Sequence, residues 1–255
     1  MTRMAIEGLT LRLGSRQFCD KLCLDFEPGQ IWGVLGPNGS GKTTLLHTLA
    51  GLHSPQDGRV WLAERELAQW PVRERAQQLG ILLQSDDSSF PAPVRECAML
   101  GRHPHLEPWQ WESAEDWARV DEALERVGLS HIAGRDQRLL SGGERQRLKL
   151  ATLMVQAPGI WLLDEPTNHL DLHHQVQLLE DLTGEVRRQN QLLLMSLHDL
   201  NLAARLCDHL VLLYGDGRVE AGPLAELFES DRLSRLYGHP IRALHDGGQC
   251  WMVPG

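Results

Sequence analysis

The sequence predicts an α/β fold: a mostly parallel sheet core, an antiparallel β subdomain at the N-terminus and an inserted α-helical subdomain. Two patterns favour this fold. Short apolar runs of four or five residues, typical of strands buried on both faces, alternate with segments of helical apolar spacing. The N-terminal residues instead alternate apolar and polar side chains, as half-buried antiparallel strands do.

The individual elements follow from these patterns. In the N-terminal segment, apolar positions recur at every second residue of two stretches, at Leu9, Leu11, Leu13, Leu22, Leu24 and Phe26. The runs that predict buried strands are 31–35, 79–83, 160–163, 192–196 and 210–214. Between residues 84 and 157 no such run occurs, and the apolar spacing of 116–127 and 148–155 is helical, so we expect a helical insertion there.

Composition limits the classes of protein to which the chain can belong. With 255 residues, 42% of them hydrophobic, the chain can bury a globular core. A net charge of −9 makes nucleic acid and anionic lipid unfavourable default partners. No apolar stretch approaches the roughly 20 residues needed to cross a bilayer, and the first residues lack a signal-peptide pattern, so we expect a cytoplasmic protein. Five irregularly spaced cysteines fit reduced thiols.

The strongest chemical signal is a glycine-rich run that follows the predicted strand 31–35 and precedes a helical segment. Glycines let backbone amides point inward toward phosphates, the lysine reaches the outer phosphates, and the next hydroxyl binds magnesium. Lys42 is also one of only three lysines, against 22 arginines. The run therefore predicts a nucleotide phosphate site made of Gly36, Pro37, Asn38, Gly39, Ser40, Gly41, Lys42, Thr43 and Thr44. The alternative is a tight Pro-Asn-Gly turn without a ligand.

Two carboxylates directly follow the apolar run 160–163. Ligands of open parallel sheets bind at the carboxyl ends of the strands, which is where Asp164 and Glu165 stand. We expect Asp164 to hold magnesium directly or through water, and Glu165 to polarise the water that attacks the γ-phosphate. The alternative is an acidic transition from a strand to a turn.

A serine-glycine-glycine turn opens the predicted helix that includes 148–155. Ser141 is the expected N-cap, and Glu144 stands three residues later, which is the spacing of a capping box. Alone, this pattern indicates only a good helix start. Residues 140–147, however, resemble the signature motif of the ATP-binding-cassette (ABC) ATPases. With 36–44 and Asp164-Glu165, three motifs stand in that family's order and approximate spacing, which implies a phosphate-loop (RecA-like) ATPase that uses ATP and Mg²⁺.

The resemblance extends to three further positions. Gln84 is similar to the glutamine that senses magnesium and the attacking water, 168–171 to a loop that faces a dimer partner, and His198 to the histidine that contacts the γ-phosphate. The resemblance thus implies catalytic roles for Glu165, Gln84 and His198. The magnesium ligands that it implies are Thr43, Gln84 and Asp164. Beyond the phosphate loop, the nucleotide contacts that it implies are Ser141, Gly142, Gly143, Glu144 and Asp171. A glutamine, an asparagine–histidine pair or a histidine that occurs alone in a sequence more often has a structural role than a catalytic one.

The sequence departs from the family at two positions. The family usually places an aromatic residue near position 13, where it stacks on adenine, whereas this chain has Leu13. Phe18 is one substitute for stacking, and purely apolar contact with the base is the other. Glu144 replaces the commoner glutamine of the signature and leaves the two glycines intact.

The resemblance implies one ABC ATPase domain over residues 1–255, with a nucleotide-binding core at 1–84 and 158–255 and a helical signature subdomain at 85–157. Two copies are expected to pack head to tail, so that the phosphate loop of one faces Ser141 to Gly143 of the other across one ATP. The further expected partner is a membrane permease, because one cassette without a spanning segment fits a transport subunit. Soluble cassettes of DNA repair or translation, and assembly ATPases for iron–sulfur clusters, are the alternatives.

Finer resemblance favours an importer. The strings 90–96, 100–106, 198–203 and 236–241 look like those of ATPases that energise uptake of ferric siderophores, haem and cobalamin; an exporter or another substrate is the alternative. Such a subunit would lie on the cytoplasmic side of the plasma (inner) membrane, with an extracytoplasmic substrate-binding protein as an indirect partner. Residues 84–106 would contact the permease. Trp109 and Trp111 either flank that contact or pack into the core.

Overall fold

The computed structural model describes residues 2–14, 16–84, 90–168, 172–246 and 249–255. The strands in these ranges are β1 (Met4–Leu13), β2 (Arg16–Phe26), β3 (Ile31–Leu35), β4 (Asp57–Leu62), β5 (Arg65–Glu66), β6 (Leu79–Leu82), β7 (Ile160–Leu163), β8 (Leu192–Ser196), β9 (His209–Leu213), β10 (Val219–Pro223), β11 (Ile241–Asp246) and β12 (Gln249–Pro254). The helices are α1 (Lys42–Leu49), α2 (Val72–Gln78), α3 (Val94–Met99), α4 (Ala114–Arg126), α5 (Gly142–Gln156), α6 (Leu172–Arg188), α7 (Leu200–Leu206), α8 (Leu224–Leu227) and α9 (Ser230–Tyr237).

The central sheet has the strand order β10-β9-β3-β8-β7-β6. All its pairings are parallel except that of the edge strand β10, which runs antiparallel to β9. Every residue of β3, β7 and β8 is buried, which explains why these strands appear in the sequence as unbroken apolar runs. Because the strands are parallel, their carboxyl ends meet at one edge of the sheet, and the loops that follow them lie together.

The antiparallel sheet has the order β2-β1-β4-β5 and covers the first helix. Leu9, Leu11 and Phe26 from its buried face pack in one apolar cluster with Leu46 of α1. The alternation of the N-terminal sequence therefore predicts this sheet correctly, although Leu13 at the end of β1 is exposed. β4, whose first three residues are polar or glycine, and β5, which has only two residues, were not predicted.

The helical insertion consists of α3, α4 and α5, which share one apolar core. Two of these helices begin with a capping box: Ser141 with Glu144, as predicted, and Ser113 with Asp116, which was not predicted. Arg102 forms an ion pair with the buried Asp116, 2.7 Å apart, which joins the loop before α4 to the helix. The helices confirm the predicted insertion, while the exact subdomain boundaries at 85 and 157 remain a prediction.

The C-terminal hairpin of β11 and β12 pairs with neither of the other sheets within the described ranges. It is tied to α7 by Asn201, whose amide donates to the Met252 carbonyl at 3.1 Å and accepts from the Met252 amide at 2.8 Å. The hairpin was not predicted, because its sequence lacks a long apolar run. None of the helices in the described ranges combines the length and the apolar character of a membrane-spanning segment. The five cysteines are free thiols, as expected.

Gly101 provides a test of the packing within the insertion. A Cβ at this position would lie 2.1 Å from the Thr152 carbonyl oxygen and 2.9 Å from the Gln156 amide nitrogen, both in the backbone of α5. Because backbone cannot turn aside as a side chain does, we expect Gly101→Ala to lower the free energy of unfolding by about 1–3 kcal/mol, measured in urea. At Gly134 a Cβ would meet nothing within 4 Å. Gly134→Ala is therefore the matched control, and equal losses in both variants would contradict the close approach.

Candidate active site

The predicted site residues meet at the carboxyl ends of four neighbouring strands. Lys42 begins α1 after β3, Gln84 lies two residues beyond β6, Asp164 and Glu165 follow β7, and His198 follows β8. The parallel pairing of β3, β8, β7 and β6 brings these loops together. The structure thus assembles the phosphate loop, both carboxylates and the two polar residues that the sequence had placed far apart.

The phosphate loop folds tightly around the lysine. Gly36 lies so close to β9 that a Cβ would be 2.3 Å from the Leu213 carbonyl oxygen, and its φ of 156° favours glycine. The Lys42 ammonium is buried and donates to the carbonyls of Gly36 at 2.8 Å and Pro37 at 3.3 Å. Burial lowers the pKa of Lys42, and the carboxylates of Glu165 and Asp164 partly offset this shift. The cation is therefore held at the mouth of the loop, facing two carboxylates.

Two buried polar atoms of the site have no hydrogen-bond partner among the described residues. They are the hydroxyl oxygen of Ser40 in the phosphate loop and Oδ2 of Asp164. A buried polar atom without a partner typically costs about 1–3 kcal/mol, so each is expected to have a ligand. A hydroxyl donor fits a phosphate oxygen, and a carboxylate oxygen fits a hard divalent cation. Asp164 therefore fits its predicted role as a magnesium ligand, and the roles of Thr43 and Gln84 as further ligands remain predictions.

Glu165 is the point on which the polar side chains converge. Its Oε1 lies 2.7 Å from Nε2 of His198, and its Oε2 accepts hydrogen bonds from Nε2 of Gln84 at 2.6 Å and from the Asn168 amide. Burial acts to raise the pKa of this carboxyl, but the hydrogen bonds from His198, Asn168 and Gln84 outweigh it, so that the pKa lies below its ordinary value. The group is an ionised carboxylate at neutral pH.

Ser196 joins the two carboxylates and was missed by the sequence analysis. Its buried hydroxyl donates to Oδ1 of Asp164 at 2.7 Å and accepts the backbone amide of Glu165 at 2.8 Å. Glu165 adopts a φ of 50°, in the left-handed region, so this contact holds a strained turn. The available signal was a polar residue that ends the apolar run 192–196. Asn168 was predicted only as part of a loop that faces a dimer partner, and its contact with Glu165, like those of Gln84 and His198, was not predicted.

The signature turn lies outside this cluster of contacts. Ser141 donates its backbone amide to Glu144 at 2.7 Å, and the Glu144 amide donates to the Ser141 hydroxyl at 3.2 Å, so their hydrogen bonds close the turn on itself. Ser141 and Gly142 are exposed at the N-terminus of a 15-residue helix. Nucleotide contacts by Gly142, Gly143 and Glu144 remain predictions, and Asp171 lies outside the described residues.

Two expectations about aromatic residues are corrected. Phe18 is 5% exposed and packs against the phosphate loop, where a Cβ on Gly41 would lie 2.6 Å from its ring, so it is not free to stack on a base. Leu13, 71% exposed, remains available for apolar contact. Trp109 and Trp111 are 99% and 87% exposed, so the suggestion that they pack into the core was wrong.

Comparison with known proteins identifies the class. The family profile described as "ABC transporter" matches residues 19–168, a range that contains the phosphate loop, Gln84, the signature turn and both carboxylates. The chain belongs to this family and is an ATPase that binds ATP, as the motifs predicted. Magnesium is not established by the comparison and remains a prediction.

Its relatives include import proteins. The hemin import ATP-binding protein HmuV of Pseudomonas aeruginosa is 42% identical over 240 residues, which span 92% of this chain and 92% of that protein. The ferric enterobactin transport ATP-binding protein FepC of Escherichia coli is 36% identical over 238 residues, spanning 93% and 88%. A solved structure, an inward-facing conformation of a putative metal-chelate type ABC transporter, superposes with a TM-score of 0.85 at 26% identity and covers 100% of this chain and 98% of its own. The predicted fold class is confirmed.

Lys42→Ala is expected to abolish nucleotide binding, because the variant loses the buried cation that is predicted to contact the phosphates. Binding is measured by calorimetric titration with ATP. Lys149→Ala is the matched control, since Lys149 belongs to α5 and not to the phosphate loop, and its loss changes the net charge equally. Tight ATP binding by Lys42→Ala would show that the loop does not hold the phosphates.

Proposed function

We propose that the chain hydrolyses ATP to energise import of a haem, ferric siderophore or cobalamin-type substrate through a separate membrane permease. The observation that carries the catalytic part is the convergence of Gln84, Asn168 and His198 on Glu165 beside the buried Lys42. The substrate class is supported by relatives named for hemin and ferric enterobactin. It is also supported by the strings that resemble importers of this group, which include the cobalamin systems.

The site residues divide the chemistry between them. Lys42, Ser40 and the loop amides would hold the phosphates of ATP. Thr43, Asp164 and Gln84 would hold Mg²⁺, which when bound neutralises phosphate charge. Glu165 would accept the proton of the attacking water. Ser196 positions both carboxylates, because its hydroxyl donates to one oxygen of Asp164 and accepts from the backbone amide of Glu165. One Asp164 oxygen is thereby left for the cation, and the Glu165 side chain is left for the water.

The contacts of Glu165 suggest how its basicity is controlled. Both of its oxygens accept hydrogen bonds in the described arrangement, and these bonds lower its pKa. If His198 and Gln84 turn to the γ-phosphate side, as the family resemblance implies, the carboxylate loses donors and its pKa rises. An oxygen then becomes free for the water, and the group becomes a stronger base. Binding of ATP would therefore make Glu165 a stronger base for the water that hydrolyses the nucleotide.

A second copy of the chain would complete the site. Ser141 and Gly142 present the N-terminus of α5 to solvent, where free amides and the helix dipole suit the γ-phosphate of a nucleotide held by a partner. ATP would contact both faces only in the closed dimer, whereas ADP lacks the phosphate that reaches the signature turn. The difference in affinity would make ATP close the dimer and hydrolysis open it.

The permease would dock on the helical insertion. A groove of about 300 Å³ lies between the end of β6 and α5, and its lining includes Phe90, Leu100, Lys149 and Thr152. Phe90 is 51% and Leu100 is 42% exposed, and two exposed apolar side chains at one groove are typical of a surface that a partner covers. A permease bound there would hold the chain peripherally on the cytoplasmic side of the inner membrane.

Glu165→Gln is expected to retain ATP binding, to lower turnover about a hundredfold or more, and to accumulate an ATP-bound dimer. Turnover is measured by phosphate release and dimerisation by light scattering, with ADP as the comparison nucleotide. Glu226→Gln, an exposed position with the same loss of charge, is the control and is expected to behave as the wild type. Unchanged turnover in Glu165→Gln would contradict its role as the base, and a monomer in ATP would contradict the shared site.

Purification of the chain from its native membrane with bound partners tests the transport function. We expect a membrane permease and, associated with it, an extracytoplasmic binding protein whose affinities for haem, ferric siderophore and cobalamin are then measured directly. Recovery of a soluble scaffold protein instead would favour an assembly ATPase. A permease with no binding protein would favour an exporter.

A further inference from the structure

Two tryptophans stand almost fully exposed on one short loop of the insertion. The Trp loop (residues 107–112) lies between the 3-10 turn Leu100–Arg102 and α4. Trp109 is 99% exposed and Trp111 is 87% exposed. Indoles exposed to water do not stabilise the folded monomer, since apolar side chains contribute to the free energy of folding only when they are buried. Their exposure therefore needs an explanation outside the monomer.

The backbone conformation of Trp109 is unfavourable as well. The turn is closed by the Gln110 amide, which donates to the Glu107 carbonyl at 2.9 Å. Pro108 occupies the second position, and Trp109 occupies the third with a φ of 71°. A turn of this kind favours glycine at the third position, and a bulky residue there is strained. Backbone strain clusters at functional sites, so a strained turn that carries an almost fully exposed indole favours a role in binding.

The loop is also held firmly in place. Arg73 of α2 donates to the carbonyls of Pro104 and Leu106 at 3.1 and 2.7 Å and forms a salt bridge with Glu107 at 3.0 Å. Gln77 donates to the Pro104 carbonyl at 2.7 Å. The two indoles are thus displayed by an anchored segment rather than by a free one. Preorganisation of this kind lowers the entropy cost of binding a partner.

The charge around the indoles is acidic. Residues 106–116 contain four carboxylates and no lysine or arginine. Glu107, Glu115 and Asp116 are each paired with an arginine from outside this segment. Glu112, next to Trp111, is exposed and has no ion-pair partner among the described residues. Indole faces and a free carboxylate together suit a cationic side chain, and acidic charge disfavours an anionic lipid surface.

We propose that the Trp loop is a docking surface for a cytoplasmic segment of the permease that carries lysine or arginine. This inference rests on the proposed transport function and adds the chemistry of the contact. Cytoplasmic loops of membrane proteins carry an excess of lysine and arginine, which complements the indoles and Glu112. Leu100 of the apolar groove precedes the Trp loop in the same insertion, and we expect one permease to contact both surfaces.

Trp109→Gly separates binding from folding. Glycine suits the φ of this position, so we expect the melting temperature of the purified chain and its permease-free ATPase rate to stay unchanged or rise. The affinity for the permease recovered from the native membrane, reconstituted in nanodiscs, is expected to fall about tenfold or more in the Trp109→Gly/Trp111→Ala variant.

Glu112→Lys is expected to weaken binding of the permease and to reduce the sensitivity of that binding to salt. Trp251→Ala, on the C-terminal hairpin and 41% exposed, is the control expected to keep wild-type affinity.

Other results would contradict either the docking proposal or the transport function, and the experiment distinguishes the two. If the wild type binds the permease and the double variant binds it equally well, the Trp loop is not a docking surface and the transport function stands. If the wild type binds no permease, the transport function itself fails. Co-sedimentation of the wild type with phosphatidylcholine–phosphatidylglycerol vesicles, lost in the double variant, would assign the indoles to lipid and overturn the proposal.

Discussion

The parallel pairing of β3, β8, β7 and β6 is the constraint on which the active site depends. Parallel strands end at the same edge, so the loops after them collect there without any contact between neighbours in sequence. The pairing is possible because β3, β7 and β8 are apolar on both faces and are covered on both. The apolar runs that stabilise the core therefore also determine where phosphate chemistry takes place.

The carboxylate at the centre of the site shows a compromise between order and reactivity. The hydrogen bonds to Glu165 hold its side chain in one place, and the same bonds lower its pKa and occupy the oxygens that a water would need. Asp164 has the opposite character, because one oxygen is satisfied by Ser196 and the other has no partner among the described residues. The Ser196 hydroxyl thus positions two carboxylates: Asp164, which is suited to bind a cation, and Glu165, which is suited to accept a proton.

The helical insertion concentrates the surfaces suited to partners. Its signature turn presents exposed helix amides, its groove presents Phe90 and Leu100, and its Trp loop presents two indoles on an anchored turn. These features depend on different physical contributions: the helix dipole, apolar burial and cation–π attraction.

The sequence by itself determined the features that depend on local spacing. The phosphate loop, the carboxylates after β7, the capping box at Ser141 and the buried strands all follow from residue type and period over a few positions. Only the tertiary structure decided which distant groups meet: that Ser196 joins Asp164 to Glu165, that Phe18 is covered by the phosphate loop, and that the tryptophans at 109 and 111 remain in solvent. The physical reason is that a hydrogen bond or a buried contact between residues tens of positions apart depends on the packing of whole elements, and no local pattern records it.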